Sequence, residues 1–351
     1  MLQIRVIIGR FLQFNPEKAG DSMADNYYSG KKILITGGLG FLGSTLAIRL
    51  VELGAEVTLL DGMIPDLGAN FFNIEPVKDR VKVAIANLGD RAATDYYVKD
   101  KNLVYNIGMH SCHLESMTNP IYDLETNVIP QVHFLESLRA CNPQTRVVYI
   151  GTRAQYGQAL TIPITEVTPP NPKDIYAATK QAVEWYHLLY NKICGLQVVS
   201  LRLGNTYGPR HQMRHPKYGV QNFLIRLALE DQEIKIFGDG TQKREMIYVE
   251  DIIRCLLLLG EQEVCLNQVY SIGSAESITF LELVQAILRA CGAGRYVHAP
   301  WPEERKTIEV GDVVTDFSKL TAHTGWKPTT LLAEGLQKTV DYYRLCRERY
   351  W

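Results

Sequence analysis

A glycine-rich turn at residues 36–43 constrains the fold more than any other stretch of the chain. It reads Thr36-Gly37-Gly38-Leu39-Gly40-Phe41-Leu42-Gly43. The apolar run Lys32–Thr36 leads into it, and the helical pattern Ser44–Leu53 leads out. Glycines at 37, 40 and 43 in that setting have separate tasks. The first permits the tight turn, the second lets the backbone approach a pyrophosphate, and the third lets the helix pack closely on the strand. The helix start, including the backbone of Phe41 and Leu42, then offers free N–H groups and a positive dipole end to phosphate. Asp61 closes the next strand pattern, Glu56–Leu60, 24 positions after Gly37. A carboxylate there binds ribose hydroxyls and repels a 2′-phosphate, so the expected cofactor is NAD rather than NADP.

The pattern that follows supports this reading. Strand candidates at Val81–Ala86, Leu103–Ile107, Arg146–Ile150 and Gln197–Arg202 alternate with helical stretches, notably Tyr122–Ala140 and Tyr176–Ile193. Such alternation predicts an α/β fold, a Rossmann-type doubly wound parallel sheet with helices on both faces. After about Tyr207 the pattern changes. Short strands Glu233–Phe237 and Gln268–Ile272 mix with helices Val220–Glu230, Glu250–Leu259, Thr279–Ala290 and Leu331–Arg349. These predict a smaller C-terminal α/β lobe for the substrate. The expected organisation is an N-terminal extension at 1–30, a cofactor domain at 31–206, and a lobe at 207–351 with some strands returning to the first domain. Residues 1–22 precede Met23 and lack a clear signal-peptide core or cleavage site.

Composition excludes several classes of function. The chain of 351 residues has a formal net charge of -1, which argues against a general nucleic-acid or membrane-surface binder. No apolar run is long enough to span a membrane. Seven cysteines without a CxxC pair argue against a disulfide framework or a thiolate zinc site and fit reduced thiols in the cytoplasm. His110, Cys112 and His113 lie close in sequence, but so short a cluster rarely converges on one ion, and no metal is expected.

Tyr176 and Lys180 stand four apart at the start of a helical pattern, a spacing that puts them on one face. A phenol is a poor base at neutral pH. A neighbouring ammonium and a positive nicotinamide ring would favour the phenolate, which can take a proton from a sugar hydroxyl.

With these motifs assembled, the chain resembles the extended short-chain dehydrogenase/reductases, in the NAD-dependent sugar-nucleotide epimerase/dehydratase group. The resemblance spans about residues 31–349. It rests on TGGLGFLG at 36–43, YIGTRAQYG at 149–157, YAATK at 176–180, RLGNTYGPR at 202–210, FGDGTQKREMIYVED at 237–251 and GWKP at 325–328. It implies that Thr152 hydrogen-bonds the reacting sugar oxygen beside Tyr176. Asn127 would support the Lys180 region, and Asn87 and Leu88 would line the adenine. Asn205 and Arg244 would hold the substrate diphosphate, with Asn222, Arg305 and His113 as further substrate contacts. It also implies a homodimer built on the helices at Tyr122–Ala140 and Tyr176–Ile193.

The segment after Thr152 bears on the reaction. The resembling 4,6-dehydratases carry an Asp-Glu pair there, where this chain has Arg153 and Ala154. Loss of water then has no evident acid and base. The expectation is epimerisation at C4 of a nucleotide-diphosphate hexose through a 4-keto intermediate. The alternatives are a 4-dehydrogenase or decarboxylase using the same Tyr and Lys, or a non-catalytic NAD-binding protein. Gly151, where serine is common, Arg153, Gln155 and the segment Met109–His113 depart from the family's pattern.

Overall fold

A computed structural model describes residues 27–351; the proposed extension of residues 1–22 lies outside them. The first domain is a seven-stranded, all-parallel sheet. Its strands are β1 (Lys32–Thr36), β2 (Glu56–Asp61), β3 (Lys82–Ile85), β4 (Leu103–Asn106), β5 (Arg146–Thr152), β6 (Gln197–Leu203) and β10 (Val269–Ser271). Their order is β10-β6-β5-β4-β1-β2-β3. The order reverses between β1 and β4, the switch point beyond whose carboxyl ends ligands bind in such sheets. The intervening strands are β7 (Asn205–Tyr207), β8 (Glu233–Phe237) and β9 (Lys243–Tyr248); β11 (Ser277–Thr279) and β12 (Arg295–Ala299) follow. They form a three-stranded sheet, β11-β9-β7, and a parallel pair, β12-β8.

The main helices are α1 (Phe41–Glu52), α2 (Arg91–Val98), α3 (Ile129–Cys141), α4 (Ile175–Cys194), α5 (Val220–Leu229), α6 (Val249–Glu261), α7 (Phe280–Cys291) and α8 (Leu332–Cys346). Helices α1 and α6 cover one face of the large sheet, where Ile33, Ile35, Leu46, Leu50, Ile252 and Leu256 share a core. On the other face, Leu34 and Val104 pack with Val98 of α2 and Phe134 and Leu138 of α3. Successive β1 residues thus serve opposite cores, as the two-residue period of a strand requires. Capping residues fix the helix starts. The Asp174 side chain accepts the Ala177 N–H at the head of α4, and Thr279 with Glu282 forms a reciprocal capping box on α7.

The strand expected at Gln268–Ile272 is β10; it returns to the first domain, as expected of some strands of this region, and pairs with β6 in the large sheet, Tyr270 opposite Leu201. The helix at Glu250–Leu259 also covers that sheet. It is buried on nearly every side, from Ile252 through Leu259, because it fills the layer between the sheet and the lobe. Tyr27 and Tyr28, counted with the extension, belong to the domain. Tyr28 is buried, and its hydroxyl hydrogen-bonds the Tyr105 hydroxyl at 3.0 Å and the Leu257 carbonyl.

Candidate active site

The glycine turn sits at the carboxyl end of β1, over the switch point. Gly37 has φ +65°, and a Cβ there would lie 2.7 Å from the Gly108 Cα. A Cβ on Gly43 would lie 2.2 Å from the Gly37 carbonyl oxygen. No other residue fits either place without displacing the turn or α1. At Gly40 an added Cβ would meet only the Gly37 oxygen, at 3.3 Å, so this position opens to the groove. No side chain caps α1, which leaves its first N–H groups for an anion. The Asp61 carboxylate accepts the Leu39 N–H at 3.0 Å and the Met63 N–H at 2.9 Å. Burial raises its pKa, and these two bonds oppose the rise.

Gly37, Gly40, Phe41, Leu42, Gly43, Asp61, Asn87 and Leu88 all line one groove of about 270 Å³. A dinucleotide fits this set: an uncapped helix start, a backbone stripped of Cβ atoms, and a carboxylate at the far strand end. Phe41, Leu42 and Met109 line both this groove and a second cleft of about 250 Å³, which contains Thr152, Tyr176, Lys180 and Asn205. Asn205 in turn belongs to a third cleft of about 490 Å³, with His113, Arg153, Arg244 and Arg305. The three form one continuous trough from the cofactor turn to the smaller lobe.

At its centre, β5 runs two residues beyond the sequence-based expectation and ends at Thr152. Thr152 and Tyr176 line the same cleft, and the Thr152 hydroxyl acts to lower the phenol's pKa. Tyr176 and Lys180 occupy the first turns of α4, and both are buried. The Lys180 ammonium donates to the Ile150 carbonyl at 2.8 Å and to the Met109 sulfur at 2.9 Å. Burial pushes its pKa down to about 7, against the opposing pull of Glu184 and Asp123. The Tyr176 phenol is driven up by burial, with Thr152 working the other way. Burial thus opposes the phenolate, with Thr152 and Arg153 acting in its favour; the nicotinamide ring that the expectation also named belongs to the cofactor. His113 meets the Tyr176 ring edge-on with centroids 4.9 Å apart, and its Nδ1 lies 2.6 Å from the Asp174 carboxylate. Asn127 lies in a π-helical turn, Leu124–Val128; its Oδ1 accepts the His110 N–H at 2.9 Å and its amide donates to Asp123.

The substrate candidates divide. His113, Asn205, Arg244 and Arg305 line the third cleft, whereas Asn222 does not. Asn222 is fully buried under α5, where its Oδ1 accepts the Gly208 N–H at 3.2 Å; its neighbour Gln221 faces the cleft instead. Arg244 is engaged by Glu309 at 2.5 Å and by the carbonyls of Lys243 and Gly311. His110 pairs with Glu115 at 3.6 Å while His113 turns to Asp174, and among the described residues no three His, Cys, Asp or Glu side chains gather to hold an ion.

Sequence reasoning missed Asp174 and Glu184. Asp174 was legible as a helix cap ahead of Tyr176. Glu184, fully buried, accepts bonds from Arg202 (2.6 and 3.1 Å), Ser200 (2.9 Å) and Gln155 (3.2 Å) beneath β5. No motif marks such a pair, because its partners come from three separate segments.

A profile of the NAD-dependent epimerase/dehydratase family matches residues 33–273. The chain belongs to that family. Its cofactor is NAD, in keeping with the groove and Asp61. A UDP-glucose 4-epimerase of Mycolicibacterium smegmatis is 29% identical over 89% of this chain and 98% of its own length. UDP-glucuronic acid decarboxylase 1 of Xenopus tropicalis is 29% identical over 90% of this chain and 72% of its own. Among solved structures, a UDP-glucose 4-epimerase from Thermotoga maritima with UDP-glucose superposes with a TM-score of 0.82 at 27% identity, covering 90% of this chain and 99% of that one. Among the described residues no helix is long and apolar enough to cross a membrane.

Proposed function

We propose that the protein epimerises a nucleotide-diphosphate hexose at C4 through a 4-keto intermediate. One observation carries the reading: Thr152, Tyr176 and Lys180 meet at the end of the NAD groove, and a cation follows Thr152 where dehydration would need carboxylates. NAD, held by the glycine turn and Asp61, would supply the hydride chemistry at C4. Tyr176 takes the proton of the 4-hydroxyl and later restores it. Thr152 holds the reacting oxygen beside the phenol. Lys180, anchored on the Ile150 carbonyl, orients the cofactor side of the centre. Asn205, Arg244 and Arg305 bind the nucleotide diphosphate, for which arginine's planar fork is suited. Asn87 and Leu88 flank the adenine.

The site's cofactor is regenerated in each turnover, so activity requires no added NAD once the protein carries it. Incubation of the purified protein with UDP- and dTDP-hexoses, followed by chromatographic resolution of epimers, tests the reading. Accumulation of NADH or release of carbon dioxide in place of an epimer would replace it with the dehydrogenase or decarboxylase alternative.

A homodimer in the cytoplasm completes the proposal. Trp185, Leu189 and Ile193 of α4 are exposed, as are Ile121, Leu124 and Ile129 on the adjoining helical segments. A contiguous apolar face of this kind is costly to leave in water. Light scattering is expected to give twice the chain mass, and Leu189→Glu with Ile193→Glu to give a monomer.

A further inference from the structure

The third cleft carries more positive charge than a nucleotide diphosphate needs. It is lined by six cations, Arg153, Lys173, Lys217, Lys235, Arg244 and Arg305, and by three carboxylates, Asp174, Glu233 and Glu309. Each carboxylate already has a partner: Asp174 holds His113, Glu309 holds Arg244, and Glu233 lies 3.6 Å from Arg295. A diphosphate brings about two negative charges. With Arg244 held by Glu309 and Lys217 lying 3.7 Å from Glu115, Arg153, Lys173, Lys235 and Arg305 remain for those two charges, and Arg153 is the one nearest in sequence to the reacting centre. Arg153 follows Thr152 directly, and Thr152 shares a cleft with Tyr176 and Lys180.

Arg153 is also short of partners. Its Nη2 donates to the neutral Oδ1 of Asn205 at 3.2 Å. Its Nε is enclosed and has no acceptor among the described residues. Burial and the nearby Arg244 lower its pKa to about 10. Arg153 is partly buried and feels the carboxylates of Glu245 and Glu309, but among the described residues it hydrogen-bonds neither, and a guanidinium so placed is costly. That cost is relieved when an anion arrives with the substrate.

We propose that the sugar handled by this site bears a carboxylate next to C4 and that Arg153 binds it. The inference rests on the nucleotide-sugar reading above. The C4 hydroxyl lies against Thr152 and Tyr176 in that reading, so the groups within reach of Arg153 are those on C3 and C5. A carboxylate on either, as in a C6 uronic acid or a 3-O-lactyl sugar, can take two parallel bonds from the guanidinium. Arg244, tied by Glu309 and two carbonyls, is less available for that task.

The test compares UDP-glucuronate, UDP-N-acetylmuramate and UDP-glucose on the NAD-loaded wild type and on Arg153→Gln and Arg153→Lys. It reads kcat/KM and, by calorimetry, affinity for each sugar and for UDP alone. The wild type is expected to prefer one acid over UDP-glucose by roughly 10- to 100-fold, the scale of a charged hydrogen-bonded pair. Arg153→Gln should abolish that ratio, and Arg153→Lys should restore part of it. The preferred acid identifies which neighbour of C4 bears the carboxylate. A wild-type preference for UDP-glucose overturns the inference. So does an Arg153→Gln variant that loses affinity for UDP alone as much as for the acid, since Arg153 would then be a diphosphate anchor. Arg153-dependent binding of an acid without epimer formation upholds this inference and removes the 4-epimerase reading; epimerisation of UDP-glucose with no acid preference does the reverse.

Discussion

Lys180→Met should stabilise the NAD-free protein at neutral and mildly acidic pH while abolishing activity. The Lys180 ammonium has a pKa of about 7 in the folded chain, against an ordinary 10.5, because burial disfavours its charge. Each tenfold change in an acid constant is worth about 1.4 kcal/mol. The charged form therefore weighs on the fold by at most roughly 5 kcal/mol at pH 7 and below. The sign follows from proton counting. Between pH 7 and 10.5 the unfolded chain binds the proton and the folded chain has released it, so stability rises with pH across that window. The penalty is complete below it and gone above it. Methionine removes the titrating group but leaves the Ile150 carbonyl without its donor, at a cost of about 1–3 kcal/mol. The net expectation is a variant more stable by about 2 kcal/mol at pH 6, with the advantage shrinking and changing sign near pH 9. Urea titrations of wild type and variant, stripped of NAD, at pH 6, 7.5, 9 and 10 read this directly. A variant less stable at pH 6, or a gap that does not move with pH, would refute the argument that Lys180 is held against its own solvation.

Three further outcomes follow from the geometry. Tyr176→Phe should lower kcat by about 10²- to 10⁴-fold with NAD content unchanged, measured from the nucleotide released on denaturation; full activity would exclude Tyr176 as the proton carrier. Gly43→Ala places a Cβ 2.2 Å from the Gly37 oxygen, so it should cost about 1–3 kcal/mol in overpacking and deplete bound NAD. Normal occupancy and stability together would show that the turn absorbs the methyl group. Glu184→Ala leaves the Arg202 guanidinium buried without its carboxylate and should cost about 3–5 kcal/mol in urea unfolding. Adding Arg202→Met should recover most of that loss, and no recovery would mean the pair's charge is not what the fold depends on.

How much of the site was legible depends on how local its chemistry is. The cofactor half is written in consecutive residues: the turn, the uncapped helix and Asp61 follow one another on adjacent elements, so spacing alone located them. Tyr176 and Lys180 share one helix face and were equally readable. The strand at Val269–Ser271 was readable as a strand, but its partner was not, because more than sixty residues separate it from β6. Only the need to cover the β6 edge brings it back. Asn222 matched the expected segment but fell on the buried side of α5, a distinction of one residue that helical phase decides and that Gln221 resolves. The setting of the phenol was less readable: burial raises the Tyr176 pKa and lowers that of Lys180, and burial is a property of the whole fold.

The residues that departed from the family's pattern around Thr152 separate into two groups with different causes. Gly151 and Gln155 serve the pair beneath the strand. A Cβ on Gly151 would lie 3.3 Å from Glu184 Oε2, and the Gln155 amide donates to the same carboxylate. Both changes therefore accommodate Glu184 and Arg202, although Gly151 also lines the cleft of Thr152 and Tyr176. Arg153 makes no bond to that pair: among the described residues its hydrogen-bond partner is Asn205, in the cleft. Three unusual positions within five residues thus have two origins: Gly151 and Gln155 accommodate the buried pair, and of the three only Arg153 lines the cleft toward the smaller lobe. A substitution series across Gly151, Arg153 and Gln155 should accordingly split, with stability following the first and last and sugar preference following Arg153. If all three moved stability alone, the cleft charge would be a consequence of packing rather than a determinant of which sugar is bound.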